Sequence, residues 1–229
     1  MNLLAFDTST ERLSIAVQRD GRRWTHEGAG GAQASAALIP AVLALLADAG
    51  LALGGLRAIV FGRGPGSFTG LRTACSVAQG LAFGAGVPVL PVDTLLAVAE
   101  DARLAHGATR VLALLDARMD QVYAAPWAWA AGAGWAAQGD TVVCAPEALA
   151  PLAGAGWALA GNAFAAHGER LPGPLRALPR LPAVPSAAAL LSLAPALLAA
   201  GRAVPAEQAL PLYVRDKVAQ TTAERATAR

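Results

Sequence analysis

Residues 61–72 read Phe61-Gly62-Arg63-Gly64-Pro65-Gly66-Ser67-Phe68-Thr69-Gly70-Leu71-Arg72. They stand between the apolar run Ala58, Ile59, Val60, Phe61 and a repeat of small and apolar residues at Leu71, Ala74, Cys75, Ala78, Leu81 and Ala82. A short β-prone run followed by three- and four-residue spacings predicts a strand, a tight turn and a helix. Glycine admits positive φ and close backbone approach, proline fixes φ on one side, and Ser67 or Thr69 can cap the helix. Two uses of the turn stay open. Its amides could receive phosphate or carboxylate, with Arg63 or Arg72 assisting; equally, the glycines could serve tight turning and dense packing. No lysine follows in the GKS or GKT arrangement of a phosphate loop, and the spacing Gly62-Arg63-Gly64-Pro65-Gly66 does not by itself define a nucleotide site.

Outward from this junction the chain alternates. Residues 3–6 predict a strand, Asp7-Thr8-Ser9-Thr10 a polar turn, and Leu13, Ile15 and Val17 one face of a second strand that Asp20-Gly21 turns back through residues 22–26. Ser35 can cap a helix carrying Leu38, Ile39, Val42, Leu43, Leu45 and Leu46, with Pro40 as a kink and Gly50 as its end. A strand at 87–92 and a helix at 94–105 follow. Strands at 111–115 and 122–129, joined by the polar turn 116–120, repeat the strand–turn–strand opening and suggest internal duplication. Farther on, alanine and glycine dilute the signal to a short helix at 146–152, a strand at 158–159 and a helix at 186–200 bent near Pro195. Beyond Arg215 the sequence is polar, suited to a mobile or partner-binding tail.

The 229 residues are 55% hydrophobic and only 15% charged, below the roughly 25% usual in globular proteins, so disorder is excluded as an overall description. The net charge of +2 comes from scattered arginines with one lysine, Lys217, and forms no phosphate-tracking stripe. Cys75 and Cys144 lack CxxC spacing and read as thiols of a reducing compartment. Residues 181–201 are long enough to cross a membrane, but three prolines and two serines interrupt them, favouring a buried helix. The opening reaches Asp7 and Glu11 too soon for a signal peptide, and the expected location is cytoplasmic.

The block GRGPGSFTGLRTACSVAQGLAFG, together with the opening LLAFDTSTERLSIAV, resembles the bacterial TsaB (YeaZ) family. VPVLPVDTLLAVA, TRVLALLDARMDQVY and LPLYVRDKVA extend the resemblance over most of residues 1–125 and again near the C-terminus. The resemblance implies an α/β actin/Hsp70-like (ASKHA) fold of two related lobes, here 1–107 and 108–215, with 216–229 as a tail. It also implies a noncatalytic partner of TsaD in forming N6-threonylcarbamoyladenosine at tRNA position 37. TsaE would join a ternary assembly, tRNA would be met through that assembly, and a homodimer could form when the chain is alone. ATP and Mg²⁺ would belong to the assembled complex and not to the isolated chain. By the same resemblance the first two helices pack against TsaD, with Ile39, Leu43, Leu46, Thr73, Val77 and Leu81 as interface candidates.

Independent catalysis finds little support. The histidine pair that binds metal in TsaD would fall on Thr94 and Val98, a weak oxygen donor and a residue that cannot coordinate. His26, His106 and His167 have no metal-ligand spacing and read as surface or loop residues. Asp7 and Asp116 each follow a strand, where an actin-like ATPase or kinase holds Mg²⁺ and phosphate. Yet Asp116 is followed by Ala117-Arg118-Met119 and not by a second phosphate loop. Asp7, Thr8, Ser9, Arg63 and Ser67 remain the anion-site candidates. Ser67 lies outside a GxSxG elbow, so a peptidase is the weakest alternative.

Overall fold

The computed structural model describes residues 1–215, and the expectation for the tail at 216–229 lies outside the described residues. The first sheet grows from β1 (Leu3–Asp7), whose five residues are all buried. β2 (Arg12–Arg19) returns antiparallel to it, and β3 (Arg22–Ala29) follows antiparallel to β2, turned by Asp20-Gly21, both at positive φ. On the other side of β1, β4 (Ala58–Gly64) and β5 (Val89–Asp93) add in parallel, giving the order β3-β2-β1-β4-β5.

The second sheet repeats this plan. β6 (Arg110–Arg118), β7 (Gln121–Ala130) and β8 (Gly134–Ala137) form an antiparallel meander, with the short β9 (Val142–Cys144) also on β7. β10 (Ala158–Gly161) and β11 (Arg180–Pro182) then add in parallel beside β6. The order β11-β10-β6-β7-β8 matches the first sheet strand for strand and sense for sense. The duplication expected from the two strand–turn–strand openings is therefore present in the topology.

Alternation of side chains across β1, β2 and β4 gives the first sheet two apolar faces. Leu4, Phe6, Ile15, Val17, Ile59 and Phe61 meet Leu38, Val42, Leu45 and Leu46 of α1 (Ala34–Asp48) and Ala74, Cys75, Ala78 and Ala82 of α2 (Phe68–Ala85). On the opposite face, Leu3, Ala5, Ala58 and Val60 meet Leu96 and Ala97 of α3 (Thr94–His106) and Leu190, Leu191 and Ala194 of α6 (Ala187–Ala199). The other flank of α3 packs Leu95, Val98 and Ala102 onto Val111, Ala113 and Leu115 of the second sheet. α3 thus lies between the sheets, while α1 and α2 form the outer layer. The far face of the second sheet is covered near α4 (Phe164–His167) and α5 (Gly173–Arg176) by residues including Leu171 and Leu175.

One polar knot joins these layers. The buried Glu100 of α3 accepts hydrogen bonds from Arg103, from the Ser192 hydroxyl of α6 at 2.5 Å and from the Trp135 indole of β8 at 2.8 Å. Burial alone would raise its pKa, but these donors and the Arg103 charge hold it below the ordinary value.

Several local expectations change. α1 begins one residue before Ser35, with Gln33 as N-cap, and carries Pro40 on its exposed side. The helix expected at 146–152 is only a 3₁₀ turn at Pro146–Ala148. α6 forms as expected, with Pro195 inside it. Both cysteines are free thiols, and among the described residues no helix is long and apolar enough to cross a membrane.

Candidate functional site

The glycine-rich turn seats against the β1–β2 turn through backbone and short side chains. Oδ1 of Asp7 accepts from the Ser9 amide at 2.8 Å and the Ser9 hydroxyl at 2.6 Å. The Thr8 hydroxyl donates to the Gly70 carbonyl at 2.7 Å, and the Ser67 amide donates to the Ser9 carbonyl at 2.7 Å. Ser67 caps α2, its hydroxyl accepting from the Gly70 amide at 3.5 Å. A Cβ on Gly70 would collide with the Thr8 carbonyl oxygen, and one on Gly62 with Oδ2 of Asp7. These glycines permit close approach between two loops.

The anion-site candidates are consequently engaged with one another or with neighbouring groups. Asp7, Thr8 and Ser9 are buried, and Arg63 donates to Oδ1 of Asp93 at 2.5 Å. Ser67 is exposed, and with Ser9 it lines the cleft between the two sheets. Oδ2 of Asp7 is buried with no hydrogen-bond partner among the described residues. Burial pushes the Asp7 carboxyl up to about 7, partly opposed by the two bonds from Ser9. An acid whose folded-state pKa lies above its unfolded value contributes fully below the unfolded value, 3.8, and loses that contribution as pH rises toward about 7. Asp7→Asn is therefore expected to flatten the fall in melting temperature across this window, read by thermal melts over a pH series.

The opposite wall is the β6–β7 turn. Arg118, Met119 and Asp120 adopt φ of 60°, 52° and 57°, three successive left-handed residues that cost on the order of 1–3 kcal/mol each. Surrounding bonds hold them there. Oδ1 of Asp116 accepts from the Arg118 amide at 2.9 Å, and Arg215 donates to the carbonyl of Ala117 at 2.9 Å and to Oε1 of Gln121 at 2.7 Å. Arg118 also pairs with Glu11 of the first lobe and with Asp116. His167, expected at the surface or in a loop, is buried with Nε2 3.1 Å from Oδ1 of Asp116. Burial would raise the Asp116 pKa, but the Arg118 amide, His167 and the Arg118 charge keep it below the ordinary carboxylate range. No local sequence pattern joins His167 to Asp116, because 51 residues separate them.

A C-terminal strap closes this junction. Gln79 donates to the Ala209 carbonyl at 2.8 Å, and Leu212 donates its amide to the Arg63 carbonyl at 2.7 Å. Arg72 donates to the Tyr213 hydroxyl at 3.1 Å and stacks 3.8 Å above the Phe68 ring. Three of the blocks that carried the sequence resemblance, the glycine turn, DARMDQVY and the described part of the last, residues 212–215, thereby meet around one cavity of about 460 Å³.

This arrangement does not fit Mg²⁺–ATP within the chain. Asp7 has one oxygen bonded to Ser9 and the other packed against Gly62, while Asp116 is held by Arg118 and His167. The Gly64 amide donates to the Thr94 hydroxyl oxygen at 3.0 Å, and Val98 is core. No cluster of three or more His, Cys, Asp or Glu suited to a metal occurs among the described residues.

The interface candidates divide by burial. Ile39 and Leu43 project from α1 at 42% and 49% exposure, whereas Leu46 is buried in the core and faces inward. Thr73, Val77 and Leu81 are half-buried along α2, with Val77 and Leu81 packed on the core. Sequence periodicity missed Phe83, which is 83% exposed on α2. It also missed Gly80 and Gly84, where an added Cβ would meet open space.

Two sheets of identical strand order, with helices between and outside them, define a two-lobed α/β protein of the actin/Hsp70-like class. The chain belongs to the TsaB (YeaZ) family. It is 36% identical over 225 residues to the tRNA threonylcarbamoyladenosine biosynthesis protein TsaB of Escherichia coli, covering 96% of each chain. To the TsaB of Haemophilus influenzae it is 44% identical over 123 residues, 54% of this chain and 52% of the relative. The solved structure of YeaZ from Pseudomonas aeruginosa superposes with a TM-score of 0.86 at 43% identity, covering 93% of this chain and 99% of that one. Residues 31–150 also match the family described as TsaD, tRNA N6-adenosine threonylcarbamoyltransferase.

Proposed function

We propose that this chain is the noncatalytic partner of TsaD in forming N6-threonylcarbamoyladenosine at position 37 of tRNA, docking through the outer face of α1 and α2. The observation that carries the docking reading is that face itself. Ile39, Leu43 and Phe83 expose large apolar side chains on the two helices, and α2 also carries Gly80 and Gly84, where an added Cβ would meet open space among the described residues. Glycine inside a helix costs about 1 kcal/mol relative to alanine, so its use at an uncrowded position needs a reason outside the fold. Close approach of a partner helix supplies one. Ile39, Leu43, Thr73, Val77 and Leu81 form or border this surface, with Leu46 supporting it from beneath.

The chain contributes orientation to the assembly, and catalysis resides in TsaD. TsaE joins as the ATPase, ATP and Mg²⁺ act in the assembled complex, and tRNA is engaged through that complex in the cytoplasm. Without TsaD, two copies pair through the same apolar face. The lobes divide at 107/108, just after Gly107 caps α3; α6 and the strap then return to the first sheet.

Reconstitution tests the role. Threonylcarbamoylation of tRNA by TsaD and TsaE should require this chain, while the chain alone should release no phosphate from ATP. Modification at full rate without it, or robust ATP turnover by it alone, would overturn the reading. Gly80→Ala tests the surface with opposed signs. The isolated chain should gain up to about 1 kcal/mol of stability, while its affinity for TsaD falls. Melting curves and analytical ultracentrifugation on the same sample separate these effects.

A further inference from the structure

The C-terminal strap is built into both lobes. Ala206 and Ala209 are buried in the core of the first lobe, and Val214 packs on the core of the second. The five-residue step from Ala209 to Val214 spans at most about 18 Å when fully extended, so the two attachments leave little slack. Between them the strap is held to the first lobe by its backbone. Cys75 and Gln79 donate to the Ala209 carbonyl at 3.2 and 2.8 Å, and the Leu212 amide bonds the Arg63 carbonyl at 2.7 Å. A Cβ on Gly64, at φ 121°, would come within 2.5 Å of the Leu212 carbonyl oxygen, so the glycine turn leaves room for the strap.

Arg215 fastens the other end. Its guanidinium donates to the Ala117 carbonyl at 2.9 Å, to Oε1 of Gln121 at 2.7 Å and to Sδ of Met119 at 3.0 Å. Ala117 and Gln121 flank the three left-handed residues Arg118, Met119 and Asp120, so one side chain grips the strained turn from both sides. Backbone of this kind persists only where its surroundings over-determine it, and the Arg215 bonds are part of what does so here. The lobes are joined differently behind the cleft. There α3 packs Leu96 and Ala97 on the first sheet and Leu95 and Val98 on the second, a continuous apolar contact. At the mouth, the Arg118–Glu11 pair also bridges the lobes, but its side chains are 69% and 65% exposed, and exposed ion pairs contribute little.

We infer that residues 209–215 are a latch that holds the two lobes closed at the cleft mouth, with the α3 contact as the hinge and the β6–β7 turn as the element that relaxes when Arg215 lets go. While the latch is fastened, the start of α2 and the second lobe move as one body.

Pulsed electron resonance between two spin labels on the full chain reads the closure. Gln33→Cys and Ala166→Cys supply the labels, both at exposed positions close in sequence to Gly31 and Asn162, which line the cavity from opposite lobes. Cys144→Ser removes the partly exposed native thiol, while Cys75 is buried. This labelled parent should give one narrow distance. Arg215→Ala should add a longer one and raise its population at least about tenfold, the effect of losing one hydrogen bond from a charged group. Gln121→Ala removes a single acceptor of Arg215 and should open the mouth in the same sense to a smaller extent. A folding defect in Arg215→Ala therefore leaves the proposal open to refutation. Glu11→Ala should keep the narrow distance. A broad distribution in the parent, no longer distance in either latch variant, or an opening by Glu11→Ala that matches Arg215→Ala would each overturn the latch.

Discussion

Leu43→Asp is expected to leave the isolated chain folded and to weaken its association with TsaD by more than about a hundredfold. The side chain is 49% exposed on α1 and lies outside the buried core, so the monomer loses little when it becomes a solvated carboxylate. Docking would remove that solvent. A charge enclosed without a partner costs about 3–5 kcal/mol, and each 1.4 kcal/mol is a factor of ten in affinity. Circular dichroism should therefore match wild type while sedimentation with TsaD shows unbound species. Wild-type affinity would remove Leu43 from the interface. Val77→Asp gives the complementary result. Val77 is half-buried and packs on the core beneath α2, so aspartate there should lower both affinity and melting temperature. The pair distinguishes a surface that binds from a surface that also supports the fold.

The same distinction explains what the sequence disclosed. Periodicity at Leu38, Val42 and Leu45 marked α1 because one side of that helix faces the first sheet. It could not place Leu46 inward and Leu43 outward, since broad apolar character continues around the helix. In the second lobe, β8, β9, β11, α4 and α5 are three or four residues long, below the length at which a repeat becomes legible. Alanine and glycine there leave little contrast between faces. The strand–turn–strand openings were legible because Leu3–Asp7 and Arg110–Arg118 are nearly continuous buried runs ending at an aspartate turn. The contact of His167 with Asp116 and the strap from Ala209 to Arg215 were hidden, because tertiary packing alone brings those segments together.

Gly70→Ala should act against Gly80→Ala although both lie in α2, ten positions apart. On helix propensity alone each substitution would stabilise by about 1 kcal/mol. At Gly70, however, the new methyl group would collide with the Thr8 carbonyl oxygen, a backbone atom of the β1–β2 turn. That turn cannot withdraw freely, because the Thr8 hydroxyl bonds the Gly70 carbonyl at 2.7 Å and the Ser9 carbonyl receives the Ser67 amide at 2.7 Å. Relief must displace α2 from β1 and break at least one of these buried bonds. Overpacking of about 1–3 kcal/mol and a lost buried hydrogen bond of about 1–3 kcal/mol outweigh the propensity gain. A net loss near 3 kcal/mol corresponds to a fall of roughly 6–12 °C in melting temperature for a chain of this size. The displacement also moves the helix whose outer face is proposed to meet TsaD, so affinity should fall even at temperatures where the variant remains folded. A melting temperature at or above wild type would show that the two turns are not in close contact. The glycines of the 62–70 turn would then need another explanation, with phosphate cradling the first to revisit.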